Sequence, residues 1–131
     1  MRTMGILFLG AVLFGGVAWG ELTATDFGAK ADGSDSTAAI QSALDKASET
    51  GGIVRLPAGR YRVNGVLSIP DGVTLEGEWS GPHTSHLDKG TVLLAYANRN
   101  VESGSAFISL RTSSTVKGIT IFYPEQTVEN I

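Results

Sequence analysis

The side chains best suited to chemistry in this chain gather between Glu76 and Asp88. Glu76 and Glu78 lie two residues apart and would share one face of an extended strand. Two carboxylates held a few ångströms apart can divide acid and base work between them. The simpler reading is that Gly77 ends the strand and both glutamates are ordinary solvated charges. His83, His86 and Asp88 place three donor side chains within six residues, a density that can attract a divalent cation. Their spacing fits no established zinc pattern and no fourth ligand is evident, so no metal ligand is assigned. Arg60 and Arg62 would share a strand face, with Arg55 nearby in sequence, and such a ledge can draw in an acidic ligand. Arginine is equally at home on exposed strands as a solubilising and edge-protecting residue. Nucleophile–histidine–acid arrangements, phosphate-cradling glycine loops and cysteine sites are absent, and the catalytic residues are unknown at this level.

The elements that must position these side chains follow from periodicity. Ala39, Ile40, Ala43, Leu44 and Ala47 recur at helical spacing, with Gln41, Ser42, Asp45, Lys46 and Glu49 on the other side, which predicts an amphipathic helix over 37–49. Asp35 or Ser36 is the natural N-cap, and Gly51 and Gly52 stop the helix. The remaining acids of this region, Asp26 and Asp32, read as turn residues. Beyond the glycines the period changes to two. Strands are predicted over 53–56, 61–63, 66–69, 73–76, 91–95, 107–110 and 116–122, separated by Gly, Pro and Asp turns. Residues 78–90 interrupt this rhythm as a polar insertion. The segment 67–75 is echoed weakly by 108–121, at offsets of about 41 to 46 residues, which favours a solenoid of repeated coils. A jelly roll or sandwich would share the same periodicity.

Composition sets the outer limits. The chain has 131 residues, 17 glycines, no cysteine and a net charge of −3. Arg2 followed by an uncharged apolar run to Gly20 reads as a signal peptide over 1–20, since the run is short of the ~20 apolar residues of a spanning helix. Removing 20 of 131 residues leaves 111, enough for a single domain over 21–131. The expected location is secreted, extracellular or periplasmic. Without cysteine no disulfide can brace the fold. With no basic patch, nucleic acid is not an expected partner, and no membrane association is expected after leader cleavage.

The residues Asp26, Phe27, Gly28 and Ala29, then Asp32 and Gly33, then Thr37 to Gln41, Ala43, Leu44, Gly51, Gly52, Leu56, Pro57, Gly59 and Tyr61 resemble the N-terminal segment of the pectin-lyase-like superfamily, in its rhamnogalacturonase and epimerase-like (pectate lyase superfamily) branch. Leu67 to Pro70 and Gly72 to Gly77 look like the next coil. Ala31, where a glycine is usual, and a shortened acidic stretch before the helix depart from the pattern. The resemblance implies a mainly β protein, a right-handed parallel β-helix whose first coil is covered by the capping helix. It also implies a fragment truncated on the C-terminal side and inactive alone. The complete protein would be a glycoside hydrolase, polysaccharide lyase or epimerase with polysaccharide as its partner. No cofactor is identified, although Ca²⁺ would suit a complete lyase. On this reading Trp79, with a ring able to stack on a pyranose, and His83 and His86 are candidate ligand contacts. The alternative class is a non-catalytic carbohydrate-binding or structural β-helix, a homotrimer if tailspike-like.

Overall fold

The computed structural model describes residues 21–80 and 89–127. The expected leader, residues 1–20, lies outside the described residues. In chain order the elements are β1 (Glu21–Thr23), a 3-10 turn (Ala24–Phe27), α1 (Thr37–Ala47), β2 (Ile53–Leu56), β3 (Gly59–Val63), β4 (Leu67–Ile69), β5 (Thr74–Gly77), β6 (Thr91–Ala95), β7 (Ile108–Leu110), β8 (Thr115–Lys117) and β9 (Ile119–Phe122). Among the described residues every strand pairing is parallel. Three sheets result, ordered β1-β2-β5-β8, β3-β6-β9 and β4-β7. The chain visits them in rotation, so each circuit lays one rung on the last. Ile53 pairs with Thr74, and Thr74 with Thr115, which makes successive circuits 21 and 41 residues long. Among the described residues no helix is long and apolar enough to cross a membrane.

Alternation along each strand builds the core. Leu22, Val54, Leu75 and Val116 stand in register on the inner side of the first sheet, and Tyr61, Leu93 and Ile121 do the same in the second. Leu67 and Ile69 stack beneath Ile108 and Leu110 in the third. The inward residues of the middle rungs are buried, whereas Leu110 and Ile121 on the last rung are exposed. Tyr61 donates its phenol proton to the Pro57 carbonyl (3.0 Å). Burial, with Glu78 adding to it, holds that phenol above its ordinary pKa. Thr91 is the buried polar residue of the interior corner. Its hydroxyl donates to the Leu56 carbonyl and accepts from the Glu78 amide, both at 2.8 Å, so one side chain ties two rungs together.

One expected strand divides in two. The sequence pattern over 116–122 is continuous, yet the chain turns a corner at Gly118, which has φ +71°. A β-carbon there would meet the Gly77 carbonyl oxygen at 2.5 Å, and one on Gly77 would meet the Gly118 oxygen at 2.7 Å. The two glycines stack, backbone on backbone, where only hydrogen fits. The echo between 67–75 and 108–121 is therefore half right. Leu67 to Ile69 do lie under Ile108 to Leu110, but Thr74 and Leu75 pair with Thr115 and Val116, and Ile119 to Ile121 pair with Thr91 to Leu93.

The helix covers the open end of the first rung. Ile40, Ala43, Leu44 and Ala47 are buried against the core, as their spacing predicts. The capping side chain is that of Asp35, whose Oδ1 accepts from the Thr37 amide (3.1 Å), the Thr37 hydroxyl (2.6 Å) and the Asn64 amide (3.0 Å). Ser36 points instead to Lys30, bonding its amide and carbonyl. The Thr37 hydroxyl accepts from the Gly65 amide at 3.1 Å. Gln41 accepts from the Ser68 amide and donates to its carbonyl, both at 3.0 Å, taking the place of a neighbouring strand. The sequence assigns Gln41 to the solvent face; the structure uses it on the edge of β4.

Burial opposes ionisation of Asp35, but the Thr37 hydroxyl, the Asn64 and Thr37 amides and the Arg62 charge outweigh it and hold the carboxyl below its ordinary range. A depressed folded-state pKa stabilises the protein above the unfolded value of about 3.9, and that contribution disappears as pH falls through the folded value. Asp35→Ala is expected to lower stability by about 1 to 2 kcal/mol at neutral pH. The gap from wild type, read by urea unfolding, should narrow below about pH 4. A gap that widens on acidification would contradict this account.

Candidate functional site

Trp79 follows β5 with 66% of its surface exposed. His83, His86 and Asp88 lie outside the described residues. Among the described residues no three metal-ligating side chains gather. Gly77 does end β5, and the two neighbouring glutamates have separate duties. Glu76 points outward between Arg55 (3.3 Å) and Lys117 (3.6 Å), its partners in register on the adjoining strands. Arg55 also pairs with Glu21, and Glu21 and Glu76 together raise its already high pKa. The outer face of the first sheet is thus a ladder of alternating charge. Glu78 uses its backbone: its amide donates to the Thr91 hydroxyl, and its carbonyl accepts from the Thr91 amide at 3.0 Å. An acid–base pair is not what these residues form.

Arg60 and Arg62 share the outer face of the second sheet, as alternation predicts, while Arg55 sits on the first. The other outward positions of that sheet are Val92, Leu94, Thr120 and Phe122, so no carboxylate faces the two arginines from β6 or β9, while on the opposite side Asp35 bridges to Arg62 and feels its charge. Val92 is buried, which leaves Arg60, Arg62, Leu94, Thr120 and Phe122 as the accessible surface. The Arg62 guanidinium lies 4.1 Å from the centre of the Tyr96 ring, a cation–π contact, and its Nε donates to Asn64 (2.7 Å).

Tyr96 leads from this face into a groove of about 940 Å³ at the corner after β6 and β9. Loop 96–107 forms one wall, where the preceding circuit turns with only residues 64–66. The loop is braced internally. Asn98 and Asn100 adopt left-handed backbone (φ 59° and 58°), which asparagine tolerates, and the Asn98 amide donates to the Ser105 carbonyl. Phe107 and Tyr123 meet edge to face with centroids 6.1 Å apart. Arg99 and Glu125 pair across the groove at 3.6 Å. The expected ligand contacts do not include these residues. β6 and β9 are each followed directly by a tyrosine, but only the pairing of the two strands brings those corners together.

Three parallel sheets wound in rotation, with an amphipathic helix across one end, define a parallel β-helix. The chain belongs to the family described as rhamnogalacturonase A/epimerase, pectate lyase-like, which it matches over residues 22–123. Mannuronan C5-epimerase AlgE4 of Azotobacter vinelandii is 45% identical over 75 residues, half of this chain and 14% of the epimerase. Alginate lyase 7 of the same organism is 49% identical over 57 residues, 42% of this chain and 7% of the lyase. Among solved structures the A-module of AlgE4 superposes with a TM-score of 0.59 at 30% identity, covering 83% of this chain and 30% of the module. A Geobacillus virus E2 protein, ORF18, has the same TM-score at 24% identity, over 77% of this chain and 20% of its own, and shares the fold. The chain spans 4% to 14% of the curated relatives it matches.

The charge ladder is solvent-facing, with 51% and 57% of the Arg55 and Lys117 side chains exposed. Pairs of this kind contribute little. Glu76→Gln should lower stability by no more than about 1 kcal/mol, and the loss should shrink in high salt. Denaturant midpoints at two ionic strengths test this, and a loss several times larger would show that the ladder holds the rungs together.

Proposed function

We propose that this chain is the cap and first coils of a secreted β-helix protein that acts on an acidic polysaccharide. Membership of the pectate lyase-like family supports the polysaccharide reading, and the relatives named for mannuronan and alginate favour a polyuronate. The observation that carries the proposal is the outer face of the second sheet, where Arg60 and Arg62 meet no carboxylate on β6 or β9 and Asp35 answers Arg62 from one side. Cations that outnumber their neighbouring anions attract a polyanion, and regular spacing on a rigid sheet suits a ligand with regularly spaced charge. The complete protein would carry out hydrolysis, elimination or epimerisation. Glu76 is engaged with Arg55 and Lys117 and is given no part in the chemistry, and the chain alone is expected to bind without converting.

Affinity electrophoresis through gels containing mannuronan tests this. The chain should be retarded, the retardation should weaken as salt rises, and Arg60→Glu should lower affinity about fivefold or more. Migration unchanged by mannuronan and by polygalacturonate at low salt would overturn the proposal. Product formation by the chain alone would move the catalytic residues into this segment.

A further inference from the structure

We infer that the corner groove is a subsite for an uncharged pyranose unit of the polysaccharide, an inference that rests on the polysaccharide reading above. Its chemistry differs from that of the arginine face it adjoins. The charged side chains lining it are one arginine, Arg99, and two glutamates, Glu102 and Glu125. Arg99 is paired with Glu125, so the lining carries a net negative charge. A uronate entering here would approach two carboxylates within the ~10 Å over which exposed charges interact at ordinary ionic strength. An uncharged sugar meets no such opposition.

The remaining lining suits such a ring. Tyr123 keeps 41% of its surface exposed, while Phe107, only 8% exposed, backs it edge to face and fixes its tilt. Aromatic rings offer an apolar surface to the C–H face of a pyranose while their polar edge remains available for hydroxyls. Asn98, Asn100, Ser105 and Gln126 add amides and a hydroxyl that hydrogen-bond without charge. The volume, about 940 Å³, falls in the range of small-molecule sites, roughly 300–1,000 Å³. Loop 96–107 is braced before any ligand arrives, so binding need not order it. Tyr96 belongs to both surfaces, holding Arg62 and lining the groove. A glycan that crosses it presents charge on the arginine side and an uncharged unit, neutral sugar or esterified uronate, on the other.

Calorimetry with β-1,4-mannohexaose and hexamannuronate, which differ at C6, separates the two surfaces. Mannohexaose should bind the wild-type chain, Tyr123→Ala should weaken it about fivefold to tenfold, and Arg60→Glu should leave it within twofold. Glu102→Gln combined with Glu125→Gln should raise hexamannuronate affinity several-fold while mannohexaose changes less than twofold. Chemical-shift changes on the wild-type chain, confined to residues 96–107 and 123–126, give the same reading without any substitution. Mannohexaose that fails to bind, or whose shifts fall elsewhere, overturns the inference, as does a double variant with no gain for hexamannuronate. The polyuronate proposal fails separately, through mannuronan binding that ignores Arg60→Glu.

Discussion

Everything in this structure depends on satisfying the hydrogen bonds of one open edge. A parallel coil presents a row of backbone amides and carbonyls to whatever lies beneath it, and buried groups of that kind are costly when unpaired. In the first sheet β1 provides a true strand partner for β2. In the second sheet a single backbone bridge, Asp35 to Arg62, lies beneath β3, and among the described residues no strand lies beneath β4, so side chains at the start of the cap complete the work. Asp35 and Thr37 take the amides of Asn64 and Gly65, and Gln41 takes both backbone groups of Ser68. The helix is amphipathic, but its apolar face covers the core while its polar residues finish the sheet edge. Removing either function would leave the first rung half covered.

With that end closed, the rungs divide their surfaces cleanly. Inward positions are mostly Leu, Val, Ile and Ala in register, and outward positions carry charge on the first sheet, two arginines among apolar residues and a threonine on the second, and serines on the third. The two outer faces with charged residues are arranged differently. The first sheet alternates sign from strand to strand and is electrostatically self-contained. The second gathers Arg60 and Arg62 with Asp35 bridged to the latter and no carboxylate on β6 or β9, and the groove beyond Tyr96 reverses the balance. Surfaces of contrasting charge are therefore distributed among sheet faces and corners that share one frame.

Much of the frame was legible in the sequence because its signals are local. Ile40, Ala43 and Leu44 at helical spacing, the Gly51 and Gly52 stop, and alternation over 53–56 and 91–95 each follow from a few adjacent residues. What escaped depends on neighbours distant in the chain. Gln41 looks like a surface residue until Ser68 is placed beside it. Gly118 looks like a strand glycine until Gly77 lies beneath it. Glu76 and Glu78 look like a pair until Arg55, Lys117 and Thr91 claim them separately. The groove was hidden for the same reason, since Tyr96 and Tyr123 become neighbours only when β6 and β9 are paired.

The unequal circuits, 21 residues and then 41, have a consequence for how such a chain can change. The added length enters entirely at two corners, over 78–90 and 96–107, and no strand loses register with the one below. Each corner is in effect a socket whose contents can be exchanged while the winding stays true. One socket here holds an exposed tryptophan, and the other encloses a groove. Lineages of this architecture can thus acquire new specificities by insertion, without first having to solve the folding problem again.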